Sequence, residues 1–279
     1  MLVFAKIKSV QQKLSSFKKG TTIGFVPTMG ALHKGHLSLI EQARKENDIV
    51  VVSIFVNPTQ FDKQEDLINY PKTIDQDLLL LKSVFCDIVF APSSQEIYAD
   101  NVKSQSFNFD GLEHQMEGKF RTGHFDGVGT IVKRLFEIVR PNKAYFGEKD
   151  FQQLQIIKKM VEKHHIPVKI IACDIYREDD GLAMSSRNAR LTLEHRKAAP
   201  FIYKTLKKAK IKFGTENALN IVKWVENEFK NQPLLELEYF EIANEETLKT
   251  IEAKSLNQKY RAFIAVFAGK IRLIDNISL

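Results

Sequence analysis

The run Ile49 to Val56, IVVVSIFV, is nearly unbroken in β-branched and aromatic residues. A strand with one wet face alternates apolar and polar side chains. A strand that is apolar throughout must bury both faces, as strands of a helix-covered parallel sheet do. The segments on either side fit that requirement. Before it come a helix at about Lys6 to Phe17 ending at Gly20, a strand at Thr22 to Val26 that breaks at Pro27, and a helix from Gly35 with Leu37, Leu39, Ile40 and Ala43 on one face. After it, the polar, proline-bounded NPTQFDKQEDLINYP reads as a loop at the strand's carboxyl end. A helix at about Ile74 to Phe85 and a strand at Asp87 to Phe90 follow. This β-α-β-α-β alternation predicts a doubly wound α/β sheet with right-handed crossovers.

The alternation continues through a possible strand at Gln105 to Phe109, a helix from GKFRTGHFDGVGT through Val139, and a strand at Ala144 to Phe146. A GEKD turn, a helix at Phe151 to Lys163 and a strand at Val168 to Ile175 complete it. Beyond Tyr176 the pattern changes. Helices at about 193 to 212 and 217 to 230, with Thr192 as an N-cap, precede LELEYFEI, a short helix, and the strands RAFIAVF and KIRLIDNI joined at Ala268-Gly269. The expectation is therefore two domains: residues 1–175, α/β, and 176–279, a smaller α+β unit.

Composition narrows the class. With 279 residues, 44% hydrophobic and 27% charged, the chain has material for a substantial core. Lysines interrupt the N-terminus too early for a signal peptide, and no apolar run approaches the roughly 18 residues of a membrane span, so a cytoplasmic location is expected. Cys86 and Cys173 sit among apolar residues and read as free buried thiols. The net charge of +7 suits an anionic substrate, nucleic acid or solubility equally, and decides nothing. The lysines of 204–212 read as the wet face of a helix.

Thr22 to His36, TIGFVPTMGALHKGH, reads as a strand, a small-residue turn and a helix start. The first N–H groups of a helix lack internal partners and its dipole is positive there, so the arrangement favours anions. Gly30 and Gly35 allow close backbone approach, and His33 and His36 can both donate to one group. Two histidines near a turn are often only solvated or structural; the position at a strand end raises this pair above that reading. Neither HExxH nor a Cys/His zinc pattern occurs, which argues against a metal centre at the histidines. GxxxxGK[ST] is absent, and no GxGxxG follows the first strand, which argues against a P-loop and a dinucleotide oxidoreductase. Ligands of doubly wound sheets bind outside the strands' carboxyl ends. That rule gathers Pro27 to His36, Asn57 to Phe61, Gly147 to Asp150 and Met184 to Arg187 into one nucleotide-like set.

PTMGALHKGH, FVNPTQF, YPKT, GEKDFQQL, DGLAMSSRN and the terminal LIDN, in this order, resemble the pantoate-β-alanine ligase family, with its Rossmann-like domain. HxGH alone is shared with nucleotidyltransferases and, as HIGH, with class I aminoacyl-tRNA synthetases; the ordered set is far more specific. The resemblance implies that pantoate's carboxylate attacks the α-phosphorus of ATP, releasing pyrophosphate. The amine of β-alanine then attacks the pantoyl adenylate to give pantothenate and AMP. It also implies Mg2+ with the nucleotide, a homodimer, and no nucleic-acid or membrane partner.

By the same resemblance His36 is the catalytic histidine, with His33 beside it on the phosphates. Met29, Gly30, Ala31, Leu32, His33, Lys34, Gly35 and His36 line the ATP site. Lys149, Ser185, Ser186 and Arg187 hold the other phosphates, and Gly147, Glu148, Asp150, Tyr176 and Met184 complete the nucleotide contacts. Gln60 and Gln153 bind pantoate, Gln60 touching β-alanine as well; Val128 and Gly129 offer backbone N–H groups, and Arg121 is a mobile clamp or a plain surface arginine. Asp77 is the metal candidate, although the neighbouring acid of the family is Gln76 here. The alternatives are a nucleotidyltransferase adenylylating a phosphate acceptor, which gives no role to the glutamine of NPTQF, and an RNA-binding synthetase relative, for which the chain is short. A C-terminal segment closing over the nucleotide would protect an adenylate from water.

Overall fold

A computed structural model describes residues 1–61, 64–99 and 101–279. Asp62 and Lys63, read from sequence as part of a loop, lie outside them. The chain divides into two compact units, residues 1–148 with 153–174, and 149–152 with 175–279. This differs from the sequence division in giving residues 149–152 and Ile175 to the second unit.

The first unit contains β1 (Leu2–Phe4), α1 (Ile7–Ser15), β2 (Ile23–Thr28), α2 (Lys34–Glu46), β3 (Ile49–Ile54), α3 (Gln64–Ile68), α4 (Ile74–Ser83), β4 (Ile88–Phe90) and α5 (Ser94–Tyr98). It continues with α6 (Met116–Phe120), α7 (His124–Val139), β5 (Lys143–Gly147), most of α8 (Phe151–Lys163) and β6 (Lys169–Cys173). The strands form one parallel sheet in the order β1-β4-β3-β2-β5-β6. From β2 the chain steps outward through β3 and β4, then returns to start β5 on the other side of β2. The strand order therefore reverses between β2 and β5, the switch point where doubly wound sheets bind ligands.

The apolar run of β3 is buried on both faces, as its composition requires. Val50 and Val52 pack with Ile40 and Ala43 of α2 and Leu81 of α4. Val51, pointing the other way, is equally buried. On that opposite face Phe25 meets Phe136 of α7 edge-on, and Phe136 meets Phe146. Such side chains each contribute roughly 1.5–3 kcal/mol on burial.

Pro27 does not end its strand: β2 runs to Thr28, and Pro27 pairs with Ser53. Alternate residues face alternate neighbours. The carbonyls of Thr22 and Thr28 accept from Ile49 and Phe55 on the β3 side, whereas that of Ile23 accepts from Asn142 on the β5 side. Pro27 shares the parity of Ile23, and the β2-β5 pairing has already ended at Phe25, so its missing donor has no ladder partner to lose.

One strand is added in this unit and two further expectations change. β1, an edge strand of three residues, was too short to show a period. The proposed strand at Gln105 to Phe109 is extended chain held by side chains: Gln105 N donates to Thr130 Oγ1 (2.8 Å) and Phe107 N to Asp126 Oδ1 (2.9 Å). The polar loop after β3 contains a 3-10 turn at Pro58–Gln60 and the short α3.

The second unit contains α9 (Leu193–Ala198), α10 (Phe201–Phe213), α11 (Ala218–Lys230) and the antiparallel sheet β7 (Glu236–Asn244), β8 (Tyr260–Ala268) and β9 (Ile271–Ser278). Leu206, Ile221 and Val225 pack in one core with Ile242, Ala262 and Ile264. The single helix expected over 193–212 is two, because Pro200 has no N–H to continue the first. The short helix expected between the first two strands of this sheet is a turn at 245–247. Among the described residues no helix is long and apolar enough to cross a membrane.

Cys86 and Cys173 are free and buried, and burial pushes both thiols up to about 12. The reactive thiolate is thus scarce at neutral pH. Neither cysteine should react with iodoacetamide at pH 8 in the native protein, and both should react in denaturant. Rapid labelling of the native chain, read by mass spectrometry, would contradict this packing.

Candidate active site

Beyond Thr28 the chain turns through Gly30 (φ +81°) and Ala31 (φ +51°), two successive left-handed residues. The turn directs the amides of Ala31 and Leu32 toward Asp77, in the first turn of α4. Leu32 N donates to Asp77 Oδ1 at 2.7 Å and Ala31 N to Oδ2 at 3.0 Å. Thr73 Oγ1 adds a 3.2 Å hydrogen bond to Oδ2. A Cβ at position 30 would lie 3.0 Å from that same oxygen, so both the backbone angle and the space call for glycine. Gly30 and Leu32 are buried by this arrangement, whereas Met29 and Ala31 stay half-buried and Lys34 is exposed.

The loop delivers His33 to the N-cap of α2, in extended conformation. Its carbonyl accepts from His36 N (2.8 Å) and Leu37 N (3.1 Å). Three positions apart, the imidazoles lie on one face and stack, their centroids 4.0 Å apart and their planes 29° from parallel. Two ring systems therefore stand over the positive end of a helix dipole, with Gly35 adding no bulk. This arrangement can donate to an anion from a rigid base.

The second loop follows β3. Asn57, 1% exposed, is its hub. Its Nδ2 donates to Gln60 Oε1 (3.2 Å) and to the carbonyl of Gly127 (3.1 Å), and its Oδ1 accepts from Tyr98 (2.5 Å) and Thr59 (3.1 Å). Gly127 is required here, since a Cβ would lie 2.2 Å from the Thr59 carbonyl oxygen. Gln60 Nε2 reaches Met29 Sδ at 2.9 Å, joining the second loop to the first. The Gln60 carbonyl accepts from His124 Nδ1 at 2.8 Å, and Arg121 lies 3.2 Å from His124 Nε2. Arginine can only donate, so Nε2 must be the acceptor and the proton sits on Nδ1, facing Gln60.

These contacts revise two expectations. Arg121 is anchored between His124, the Gln60 carbonyl (3.4 Å) and Glu117 (4.0 Å), not a loose surface arginine. Val128 and Gly129 do not open their helix: α7 begins at His124, and the amide of Gly127 already bonds the carbonyl of Gly123. Both lie beyond the first turn, where amides serve carbonyls four residues back, and Gly129 faces the rings of Phe107 and Phe109.

Gly147 ends β5 beside the switch point, and Glu148 follows it in the same unit. Gln153 lies half-buried in α8, next to the buried Gln152. The remaining residues belong to the second unit. Lys149 has a mostly buried side chain, its Nζ 3.6 Å from the exposed Asp150. Met184 N donates to the carbonyl of Tyr176 at 2.9 Å. Ser185 caps the 3-10 turn Ser186–Arg190 by accepting from Arg187 N at 3.2 Å, which leaves the Arg187 side chain exposed. Each unit thus carries its own cluster of hydrogen-bond donors suited to phosphate oxygens.

A protein-ligated metal does not fit Asp77. The residue is 2% exposed, and both carboxylate oxygens are engaged by the loop amides and Thr73. Its neighbour Gln76 is neutral, and among the described residues no group of three His, Cys, Asp or Glu side chains could hold an ion. Asp77 instead braces the histidine loop. Sequence reading missed that role, as it missed His124, Tyr98 and the hub role of Asn57, which it had placed in the loop. The available signal was HFDG, where a glycine three residues after a histidine marks a close backbone approach.

The comparisons place the chain in a family. The family model described as pantoate-beta-alanine ligase matches residues 2–278. A pantothenate synthetase of Flavobacterium psychrophilum is 57% identical over 281 residues, spanning 100% of both chains, and one of Christiangramia forsetii is 56% identical over 281 residues, spanning 100% of this chain and 99% of the relative. The crystal structure of pantothenate synthetase from Thermus thermophilus superposes with a TM-score of 0.90 at 37% identity, covering 99% of each chain. Pantoate-beta-alanine ligase from Francisella tularensis, complexed with β-γ ATP and β-alanine, superposes with a TM-score of 0.84 at 38% identity, covering 100% of this chain and 97% of that one. With a family match from one end to the other and relatives above half identity, the chain belongs to the pantoate-β-alanine ligase family.

Proposed function

We propose that the chain condenses pantoate with β-alanine to pantothenate at the expense of ATP, through a pantoyl adenylate, releasing pyrophosphate and AMP. The observation that carries this reading is the stacked His33-His36 pair on the first turn of α2, at the switch point of a family-matched sheet. Pantoate's carboxylate is ionised at neutral pH and needs no general base to attack the α-phosphorus. What the first step needs is fixed positive potential where charge accumulates. His33 and His36 donate to the α-phosphate and the leaving pyrophosphate, and the helix dipole behind them adds to that field.

The other assignments follow from side-chain chemistry. Lys149 and Arg187 offset charge on the β- and γ-phosphates, with Ser185 and Ser186 as neutral donors. Residues Met29 to Gly35 line the nucleotide, and Gly147, Glu148, Asp150, Tyr176 and Met184 serve its ribose and base. Gln60 and Gln153 hold pantoate, and Gln60 reaches β-alanine too; a small hydroxy acid is recognised by neutral donors and acceptors. Support for Gln60 comes from its amide and carbonyl being pinned by Asn57, Met29 and His124. Magnesium enters as the counter-ion of ATP, part of the substrate, and no step is routed through a protein-held ion. The same reading makes the protein a cytoplasmic homodimer acting on small molecules alone.

Two experiments test this. With ATP, Mg2+ and pantoate but no β-alanine, the protein should exchange labelled pyrophosphate into ATP, and AMP should accumulate stoichiometrically only when β-alanine is added. Exchange that ignores pantoate would instead favour a nucleotidyltransferase. His36→Ala should slow this exchange by roughly 10² or more, the usual loss for a transition-state donor.

Asp77→Asn separates the loop brace from a metal ligand. The variant sets an NH2 group against a loop amide, so adenylation should slow and thermal stability should fall by about 1–3 kcal/mol. The Mg2+ concentration giving half-maximal rate should not move. A marked rise in that concentration would restore Asp77 to the metal.

A further inference from the structure

The LIDN run, Leu273 to Asn276, contributes nothing to the chemistry described so far, yet its two polar side chains are among the most buried of the second unit, Asp275 at 4% and Asn276 at 1% exposure. Burial of polar groups without function in the reaction calls for an account of what they hold. Asn276 Nδ2 donates to the main-chain carbonyl of Lys149 at 2.9 Å. Its Oδ1 accepts from Arg261 at 2.6 Å. Because arginine only donates, this contact fixes the amide orientation and leaves the NH2 group for Lys149. Arg261 is itself immobilised, by a 2.9 Å bond from Nε to Glu245 and by lying 3.9 Å from the ring centroid of Phe151.

The neighbouring residue holds a second segment. Asp275 takes Arg177 in a two-pronged pair at 2.7 and 3.0 Å, and one of the same oxygens accepts from Asn276 N at 2.8 Å. Arg177 also donates to the carbonyl of Gly181 at 3.1 Å, and its guanidinium lies 3.6 Å from the Tyr203 ring centroid. A bridge between Arg177 and Ala183 closes the turn that feeds directly into Met184 to Arg187.

We propose that Asp275 and Asn276 are a positioning pair for adenylation: Asn276 fixes the backbone of Lys149, and Asp275, through Arg177, fixes the turn that presents Ser185 to Arg187. The proposal rests on the assignment of Lys149 and Ser185 to Arg187 to the phosphates of ATP. The physical need is clear. A lysine ammonium on four methylenes contributes to a transition state only if its root is held, because loose donors lose the advantage of preorganisation. Neither member of the pair touches substrate; both act on main chain or through an arginine.

Asn276→Asp is the near-isosteric test. It keeps an oxygen for Arg261 but turns an acceptor toward the Lys149 carbonyl, abolishing that hydrogen bond. Pantoate-dependent ATP-pyrophosphate exchange is measured with ATP varied, in the wild type, Asn276→Asp, Lys149→Ala and the double variant. The expected result is a fall in kcat/KM for ATP of about tenfold in Asn276→Asp, the scale of one lost hydrogen bond, with no further fall when it is added to Lys149→Ala. A purely structural role would lower the rate by the same factor in both backgrounds, and that result overturns the proposal. So does full activity in Asn276→Asp while Lys149→Ala is impaired. An unimpaired Lys149→Ala overturns the phosphate role of Lys149 itself, and is read from that variant alone. Should Asn276→Asp not fold, Arg177→Lys tests the other arm. It keeps the charge and loses the two-pronged hold, so kcat/KM for ATP should fall with KM for pantoate unchanged; unaltered ATP kinetics would overturn that arm.

Discussion

The amides of Ala31 and Leu32 lie beyond the ladder of β2 and before the first turn of α2, so neither element can satisfy them. Buried and unanswered, each would cost about 1–3 kcal/mol. Asp77 answers both with one carboxylate, from a helix two crossovers away. The rest of the nucleotide loop depends on that interaction. It fixes the left-handed turn at Gly30, the turn fixes the entry angle of α2, and that angle decides where His33 and His36 point. In the proposed reaction, a pair of imidazoles that meets developing charge on a phosphate cannot be reoriented at no cost, so a rigid root belongs to that chemistry.

The second loop obeys the same logic with neutral groups. Asn57 satisfies four partners from one buried side chain, and His124 is locked into a single tautomer by an arginine that can only donate. Gln60 consequently has both its side-chain amide and its carbonyl engaged before any substrate arrives. In the pantoate-binding role proposed for Gln60, a neutral clamp of this kind suits a substrate whose carboxylate must remain nucleophilic. A cation placed directly on that carboxylate would hold it strongly and blunt its attack on phosphorus, because the binding would favour the ground state over the transition state.

Much of this was legible in the sequence because it follows from local patterning. The unbroken apolar run at Ile49 fixed the parallel sheet, the alternation around it fixed the crossovers, and the placement of small residues between strand and helix marked the turn that brings His33 and His36 to the start of α2. What escaped depended on residues far apart in the chain. Asp77 was a metal candidate by resemblance, with a helix-surface acid as the alternative, since nothing near it in sequence reveals that its partners are two amides 45 and 46 residues earlier. Pro27 looked like a strand end, since its harmlessness depends on where the β5 ladder stops. Val128 and Gly129 were displaced from their role by an error of one helical turn in the start of α7, enough to convert open donors into intrahelical ones.

The residues that escaped share a physical character. They are buried, polar and bonded to main chain: Asp77 to loop amides, Asn57 to the Gly127 carbonyl, Asn276 to the Lys149 carbonyl. Among the residues that the sequence proposed for the site, Arg187 and Lys34 have the opposite character, being exposed. Substitution acts differently on the two groups. Removing an exposed cation withdraws at most the one interaction proposed for it and leaves the fold unchanged. Replacing a buried brace leaves a main-chain group unsatisfied and frees a segment that carries several substrate contacts at once, so its effects on binding and on the chemical step arrive together. For this fold the accuracy of the active site is therefore set less by the groups that touch ATP than by the acids and amides that hold the backbone beneath them.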